Sequence, residues 1–271
     1  MTSDAWALAH RAAEASGIEL RPLPGLADAE AILSVMQATW GGHELLPREM
    51  LRALADSGNV PYGAFDGHEP IGYVLGWAGV DPDEGLHVHS HMLATIPERR
   101  HRGVGYALKL AQRAQALEQG IGVVRWTFDP LVARNAYLNI HKLGAIGDRF
   151  ERNHYGVMSD AINLGERSDR FTVRWDLARE PGPHTVSATE TVLARRGEGP
   201  APIVGPAGRS ALVEVPAEYG DLRQREPAIA GRWRDASAEA IERCLAARMV
   251  AAGFDGPGAR YVFVTRKDLP P

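Results

Sequence analysis

The sequence predicts a mixed α/β (α+β) fold, in which helices flank a mixed central sheet and a smaller α+β segment follows. Along the chain, segments with alternating apolar residues, typical of strands, are interspersed with segments in which apolar residues recur at helical spacing. A basic, glycine-containing turn joins one predicted strand to a strong helix former. From residue 179 the composition changes, and two proline- and glycine-rich clusters appear. We therefore expect two domains, residues 1–178 and residues 179–271.

The first 78 residues contain three predicted helices and three predicted strands. An alanine-rich helix stops at Gly17, and Asp66-Gly67 is a strong hairpin turn. The predicted elements are a helix over 3–16, a strand over 18–23, a helix over 28–39, a short helix over 47–56, and paired strands over 60–65 and 70–78.

The central stretch is a strand over 87–95, a turn over 97–105 and a helix over 106–117. The first amides of a helix have no partner within the helix, and the helix dipole is positive there. Glycines at 103 and 105 let the backbone approach an anion closely, and the arginines at 99, 100 and 102 add positive charge. The turn therefore predicts a phosphate-binding loop.

The remaining elements follow from β-formers, breakers and helical spacing. Asp129-Pro130 ends one strand, and Gly144 stands at the C′ position of the helix that follows. We expect strands over 122–128, 145–155, 171–177, 211–215 and 260–265, helices over about 132–142 and 236–252, and a short segment at 185–194.

The bulk composition excludes several classes of protein. A net charge of −4 and a pI near 6.2 argue against general nucleic-acid binding, which needs a basic face. A single cysteine, Cys244, excludes an internal disulfide and suits a reducing, cytoplasmic setting. No run approaches the ~20 apolar residues of a membrane span, and the N-terminus does not read as a signal peptide.

The spacing Arg100-x-x-Gly103-x-Gly105 resembles the pyrophosphate loop of the GNAT superfamily of acyl-CoA N-acyltransferases. The ending Lys142-Leu143-Gly144-Ala145 resembles the close of a second motif of that family. Ser90-His91-Met92-Leu93, the run 126–131 and Asn135-Ala136 are similar to one bacterial subfamily. It includes N-succinyltransferases associated with N-succinylamino acid racemase. The resemblance covers roughly residues 18–177.

The resemblance implies a GNAT fold with splayed fourth and fifth strands, and acetyl-CoA or succinyl-CoA as cosubstrate, without a metal. A succinyl carboxylate would need a cation, for which Arg125, Arg149 and Arg152 are available. Asn135 and Asn139 share a helix face that could equally be solvated. The implied cosubstrate-binding residues are Met92, Leu93, Ala94, Thr95, Arg100, His101, Arg102, Gly103, Val104, Gly105, Tyr106, Asn135 and Asn139.

The candidate catalytic residues are His91 as base, Asp129 as a competing carboxylate and Tyr137 as acid. Asp129 could instead bind the ammonium of the substrate, or be a plain helix cap in a strand-to-helix turn. Many family members carry a tyrosine at the position that Ile140 holds here, and Tyr137 is one turn earlier. The three alternating histidines 87, 89 and 91 also suggest a metal site, which we consider the weaker interpretation.

The junction after the second helix would lie over the acceptor pocket in this fold. Trp40 could be a substrate contact or simply a core aromatic. The candidate substrate-binding residues are Trp40, His43, His89 and Thr127.

The resulting hypothesis is an N-acyltransferase that acylates a small-molecule amine, most simply an amino acid. The alternatives are a non-catalytic acyl-CoA-binding module and a protein-amine acetyltransferase. The hypothesis involves neither nucleic acid nor membrane, and a homodimer is compatible with it.

Overall fold

The computed structural model describes residues 2–41, 46–83, 85–100, 102–156, 166–202 and 208–269. Among these, residues up to 126 and residues 176–178 form one compact unit. Residues 127–156, 167–175 and 179–269 form a second unit. The C-terminal segment that the composition sets apart therefore lies in the second unit, together with residues that precede it in the chain. The boundary at residue 178 stays a prediction.

The first unit holds the predicted N-terminal elements in the predicted order. They are α1 (Thr2–Ala15), β1 (Glu19–Pro22), α2 (Leu26–Trp40), α3 (Arg48–Asp56), β2 (Tyr62–Asp66), β3 (Glu69–Asp81), β4 (Gly85–Thr95), α4 (Val104–Glu118) and β5 (Val123–Phe128), whose last two residues belong to the second unit. The strands lie in the order β1-β2-β3-β4-β5. Strands β1 to β4 pair antiparallel, and β4 pairs parallel with β5.

Helices cover both faces of this sheet, as a mixed sheet requires when its residues are apolar on both sides. On one face, Ile32 and Met36 of α2 pack with Leu75 and Tyr73 of β3. On the other face, Leu108 of α4 belongs to a cluster with residues of β2 and β3. The predicted mixed α/β architecture, with a central sheet flanked by helices, is confirmed.

The second unit contains the end of the predicted first domain and all later elements. They are α5 (Ala133–Ala136), a π-helical turn (Tyr137–Lys142), β6 (Ile146–Glu151), β7 (Arg170–Asp176), β8 (Thr191–Arg196), β9 (Gly199–Pro202), β10 (Ser210–Glu214), α6 (Tyr219–Arg225), α7 (Pro227–Ala246), β11 (Met249–Asp255) and β12 (Arg260–Thr265). Its strand order is β7-β6-β11-β12-β10-β8-β9. Ala251 of β11 pairs with Gly147 of β6, which joins the C-terminal strands to the sheet that contains β6 and β7.

The predicted helix over 236–252 is wrong at both ends. Helix α7 begins at Pro227, because proline has no amide hydrogen to lose in the first turn. It ends at Ala246, and Arg248 has a φ of 60°, which no helix continues. The apolar run from Met249 then forms β11 against β12. Strand β9 and helix α6 were not predicted either.

Two further boundaries differ from the prediction. Strand β6 stops at Glu151, and Asn153 has a φ of 53°, so Arg152 and His154 lie in a turn and not on a strand face. The helix expected over 132–142 is one α-turn followed by a π-helical turn. Its close is as predicted, because Gly144 has a φ of 72°.

No helix in the described part of the chain is both long enough and apolar enough to cross a membrane.

Candidate active site

The loop before α4 has the local geometry of an anion site. Gly103 is the N-cap residue, with φ 87° and ψ −7°, a left-handed conformation that favours glycine. A Cβ atom there would lie 2.6 Å from Ser16 Oγ. No side chain of the described residues caps the helix at Gly103. The first amides of this 15-residue helix are therefore available to an external acceptor.

The basic residues of the loop have different surroundings. Arg99 forms an ion pair with Asp66. Arg100 donates from Nε to the Thr95 carbonyl at 3.4 Å, which links the loop to the end of β4. Arg102 is exposed, whereas Val104 is buried. Gly105 and Tyr106 are half-buried in the first turn of α4, and His101 lies outside the described residues.

Strand β4 carries a bulge at His91, the predicted general base. Leu75 of β3 pairs with Met92, and Gly76 pairs with Ser90, so His91 is the extra residue. Glycine is required opposite the bulge, because a Cβ at Gly76 would lie 2.7 Å from the carbonyl oxygen of His89. A bulge turns the strand and exposes backbone groups that would otherwise pair, as strands do beside active sites.

The described pairing of β4 with β5 is short. It joins Val88 to Val124 and His89 to Arg125. The segment 91–95 follows this pairing, and its other edge is bonded to β3. Met92, Leu93 and Thr95 are half-buried there, and Ala94 is buried. This is the segment whose backbone the resemblance assigns to the cosubstrate.

The indole of Trp77 packs against His89 and His91, two of the three alternating histidines of β4. Its ring centroid lies 5.2 Å from that of His89 and 4.9 Å from that of His91. The two imidazoles are 5.8 Å apart. His91 is exposed at its surface, and partial desolvation of its ring lowers its pKa from the ordinary value. An imidazole in this state is neutral near pH 7 and can accept a proton.

His87 stands apart from this pair. Its Nδ1 lies 3.2 Å from the carbonyl oxygen of Gly85, at the start of the strand. Among the described residues, no group of three or more histidine, cysteine, aspartate or glutamate side chains could hold a metal ion.

Asp129, in the second unit, is held by a residue that the sequence interpretation missed. Arg234 of α7 donates to both carboxylate oxygens, at 2.7 and 2.8 Å. The Leu131 amide also donates to Oδ1, at 2.9 Å, which closes a turn after β5. Asp129 is not a helix cap, because α5 begins at Ala133 and Val132 is its N-cap residue. No motif could have revealed Arg234, since it lies 105 positions away in a segment without recognisable chemistry.

The other predicted residues of the second unit lie on or near the π-helical turn. Tyr137 stacks on His141 with centroids 4.6 Å apart. Asn139 is buried, so a solvated face is excluded for it, and Asn135 is half-buried. Thr127 Oγ1 lies 3.3 Å from the Tyr155 hydroxyl. The catalytic and binding roles of these residues stay predictions.

The predicted acceptor contacts are described only in part. Trp40 is the last residue of α2 and packs, half-buried, against the core cluster of the first unit. That packing agrees with the core interpretation without testing substrate contact. His43 lies outside the described residues.

The first unit thus combines a mixed sheet, a bulged fourth strand and a helix that begins after a basic loop without a side-chain cap. Residues 30–144 match the model of the acetyltransferase (GNAT) family. The match includes β4, the loop and α4, and it indicates that the protein is an acyltransferase enzyme.

Solved structures of related fold share little sequence with this chain. The ribosomal-protein-S18-alanine N-acetyltransferase of Escherichia coli is 13% identical, with 60% of this chain and 96% of that chain covered and a TM-score of 0.48. YncA of Salmonella typhimurium, solved with its cofactor acetyl-CoA, is 17% identical over 63% and 99%, with a TM-score of 0.49. An N-acetyltransferase of Staphylococcus aureus Mu50 is 12% identical over 59% and 98%, with a TM-score of 0.48.

No curated protein sequence matches the chain. Because each of these TM-scores is below 0.5, the similarity to the acetyltransferase family rests on the sequence match over residues 30–144.

Proposed function

We propose that the protein transfers an acetyl or succinyl group from acyl-CoA to the amine of a small molecule, most simply an amino acid. The observation that carries this proposal is the bulge at His91. It brings a titratable side chain, whose pKa is lowered by desolvation, next to the strand segment 92–95 and close in sequence to the phosphate loop.

The residues present fit an acyl-CoA cosubstrate. The α4 amides after Gly103 can bind the pyrophosphate, with Arg100 and Arg102 adding charge. The backbone of segment 92–95 can bind the pantetheine arm as an added strand. The thioester supplies an activated acyl group, so the protein must hold, orient and deprotonate the acceptor.

In the proposed reaction His91 accepts a proton from the acceptor's ammonium. The freed amine nitrogen bonds to the acyl carbon, the carbon–sulfur bond breaks, and CoA leaves as a thiolate that is then protonated. The nitrogen loses its second proton to solvent as the amide forms. Tyr137 is our proposed acid for that last proton. Asp129 suits a positioning role better than that of base, because Arg234 and the Leu131 amide already bind its oxygens.

The donor's acyl group is proposed on the resemblance alone. Of the arginines considered for a succinyl carboxylate, Arg152 is bound by both oxygens of Glu242, at 2.7 and 2.6 Å. Arg125 is buried. The choice between acetyl and succinyl therefore belongs to experiment.

The test is release of free CoA thiol by the purified chain. Acetyl-CoA and succinyl-CoA are each offered with a panel of L- and D-amino acids, and with peptides that have free N-termini. We expect acceptor-dependent release with an amino acid, at least about 100-fold slower in His91→Gln, the loss typical of a general base. His87→Gln is the matched control and should keep wild-type rates.

Two outcomes would overturn the proposal. Release with peptides only would identify a protein-amine acetyltransferase. No release with any pair, alongside tight acyl-CoA binding by calorimetry, would favour a different acceptor class.

A further inference from the structure

Lys109 is a buried, hydrogen-bonded lysine on α4, and it has no role in the proposed reaction. Its side chain is 1% exposed. The amine Nζ donates to Ser90 Oγ at 2.7 Å and to Gln112 Oε1 at 3.3 Å. The same Nζ lies 3.7 Å from the ring centroid of Trp126. A lysine is almost never fully buried in this way unless polar partners hold it there.

Two of these partners, Ser90 and Trp126, belong to neighbouring strands of the sheet, and Gln112 lies on α4 itself. The β4–β5 pairing described above ends at His89 and Arg125. Ser90 and Trp126 are the next residues on the two strands, and both contact Lys109. The amine therefore lies directly beneath the end of that pairing.

The second partner of Lys109 reaches the strand on the other side. A Cβ at Gly76 would lie 2.8 Å from Gln112 Nε2, so the amide is packed against Gly76. Gly76 is the residue of β3 that pairs with Ser90 at the bulge. Lys109 thus contacts β4 through Ser90, and Gln112 contacts β3 at Gly76. The two residues therefore pack from α4 against both strands of the bulge at His91.

We propose that Lys109 is a positioning residue that pins the bulge of β4, and so sets where segment 91–95 presents its backbone to the acyl donor. The role in donor binding rests on the proposed function. The pinning of the strand does not, because it depends only on contacts within the first unit.

Packing alone does not explain a buried amine at this position, because an apolar side chain would fill the space without the cost of desolvating a charge. Burial lowers the pKa of Lys109 well below its ordinary value, which shows that the charged form is disfavoured there. Buried ionic groups can often be replaced by apolar side chains of similar volume without loss of stability. Methionine has nearly the same length and would fill the same space. The bonds to Ser90 and Gln112 and the contact of the amine with the Trp126 ring would be lost.

The first experiment is hydrogen exchange on the intact chain in wild type, Lys109→Met and Ser90→Ala. We expect amides over 90–93 to exchange at least about 10-fold faster in both variants, with the melting temperature and the amides of β1, β2 and α1 unchanged. Arg113→Met is the matched control. It removes another buried cation from α4, whose Nη2 bonds the Leu177 carbonyl at 2.9 Å, away from the bulge.

The second experiment measures acyl-donor binding and kinetics in the same variants and in the double variant. We expect the KM of the donor to rise about 10-fold with a smaller change in kcat. The double variant should be no worse than either single variant, because both lose the same bond.

Unchanged exchange over 90–93 in a folded Lys109→Met variant would overturn the proposal. Faster exchange throughout the first unit would also overturn it, since Lys109 would then be an ordinary core residue. Additive effects of the two substitutions would exclude the shared bond. If wild type binds no acyl donor, the proposed function fails, and the exchange data still decide the pinning.

Discussion

Arg234 and Asp129 form a bidentate ion pair in the second unit, and their side chains are only 6% and 15% exposed. Asp129 directly follows β5, and Arg234 lies on α7 of the C-terminal segment. Nearby, the Tyr261 hydroxyl donates to the Pro130 carbonyl at 2.7 Å. Residues from the C-terminal segment therefore fix the turn that a carboxylate-based role of Asp129 would need.

We expect Arg234→Met to destabilise the protein by about 3–5 kcal/mol, because it leaves a mostly buried carboxylate without its partner. Urea unfolding measures the loss. Arg232→Met removes an exposed arginine from the same helix and should change the free energy of unfolding by less than about 0.5 kcal/mol. If both substitutions cost the same, the ion pair is not what holds the turn.

The sequence predicts the first unit well because its signals are local. Helix stops such as Gly17, the Asp66-Gly67 turn and strand alternation each act within a few residues. The basic loop was also recognisable, since Gly103 must adopt the left-handed conformation at a fixed place in the motif.

The partners that organise the site are long-range and carried no local signal. Lys109 lies between two leucines in a helical pattern, and a lysine there reads as a solvent-facing residue. The sequence predicts a helix only from about residue 236, so Arg234 falls ahead of it, whereas α7 begins at Pro227. The bulge at His91 depends on pairing with β3, which strand alternation does not reveal.

Gly76→Ala is expected to disturb the bulge. The new Cβ would lie 2.7 Å from the His89 carbonyl and 3.1 Å from Ser90 Cα, and backbone atoms cannot move aside cheaply. We expect a loss of about 1–3 kcal/mol, as for overpacked sites, with reduced donor affinity. Gly122→Ala is the control, because a Cβ there meets nothing within 4 Å. Equal melting temperatures for the two variants would contradict the expectation.

Gly103→Ala tests the phosphate loop. Alanine at a φ of 87° costs about 1–2 kcal/mol, and the methyl would also press on Ser16 Oγ. We expect weaker binding of acyl-CoA by calorimetry in addition to lower stability. Gly58 has a φ of 86° with open space around its Cβ direction, so Gly58→Ala shares the backbone cost. A fall in acyl-CoA affinity in the Gly58 variant would show that lost stability, and not the loop, explains the effect.

The lowered pKa of Lys109 predicts a pH-dependent cost of folding. The folded-state pKa lies below the ordinary 10.5, so the unfolded chain binds more protons between the two values. Stability contributed by this group therefore rises as the pH rises through that window. Lys109→Met removes the group, so the free energy of unfolding of the variant minus that of wild type should fall from pH 7 towards pH 10. Parallel stability curves for the two proteins would contradict a buried, titrating amine.

The pKa of His91 predicts the acid limb of the activity. Its burial lowers the pKa below the ordinary 6.5, and the base must be neutral to accept a proton. The value of kcat/KM should therefore rise with pH, reach half its maximum below pH 6.5 and be level near pH 7. In His91→Gln the residual rate should lose this limb, whereas His87→Gln should retain it. If the limb survives in His91→Gln, another group carries the proton. Asp129→Asn would then be measured next, because its carboxylate is the competing candidate.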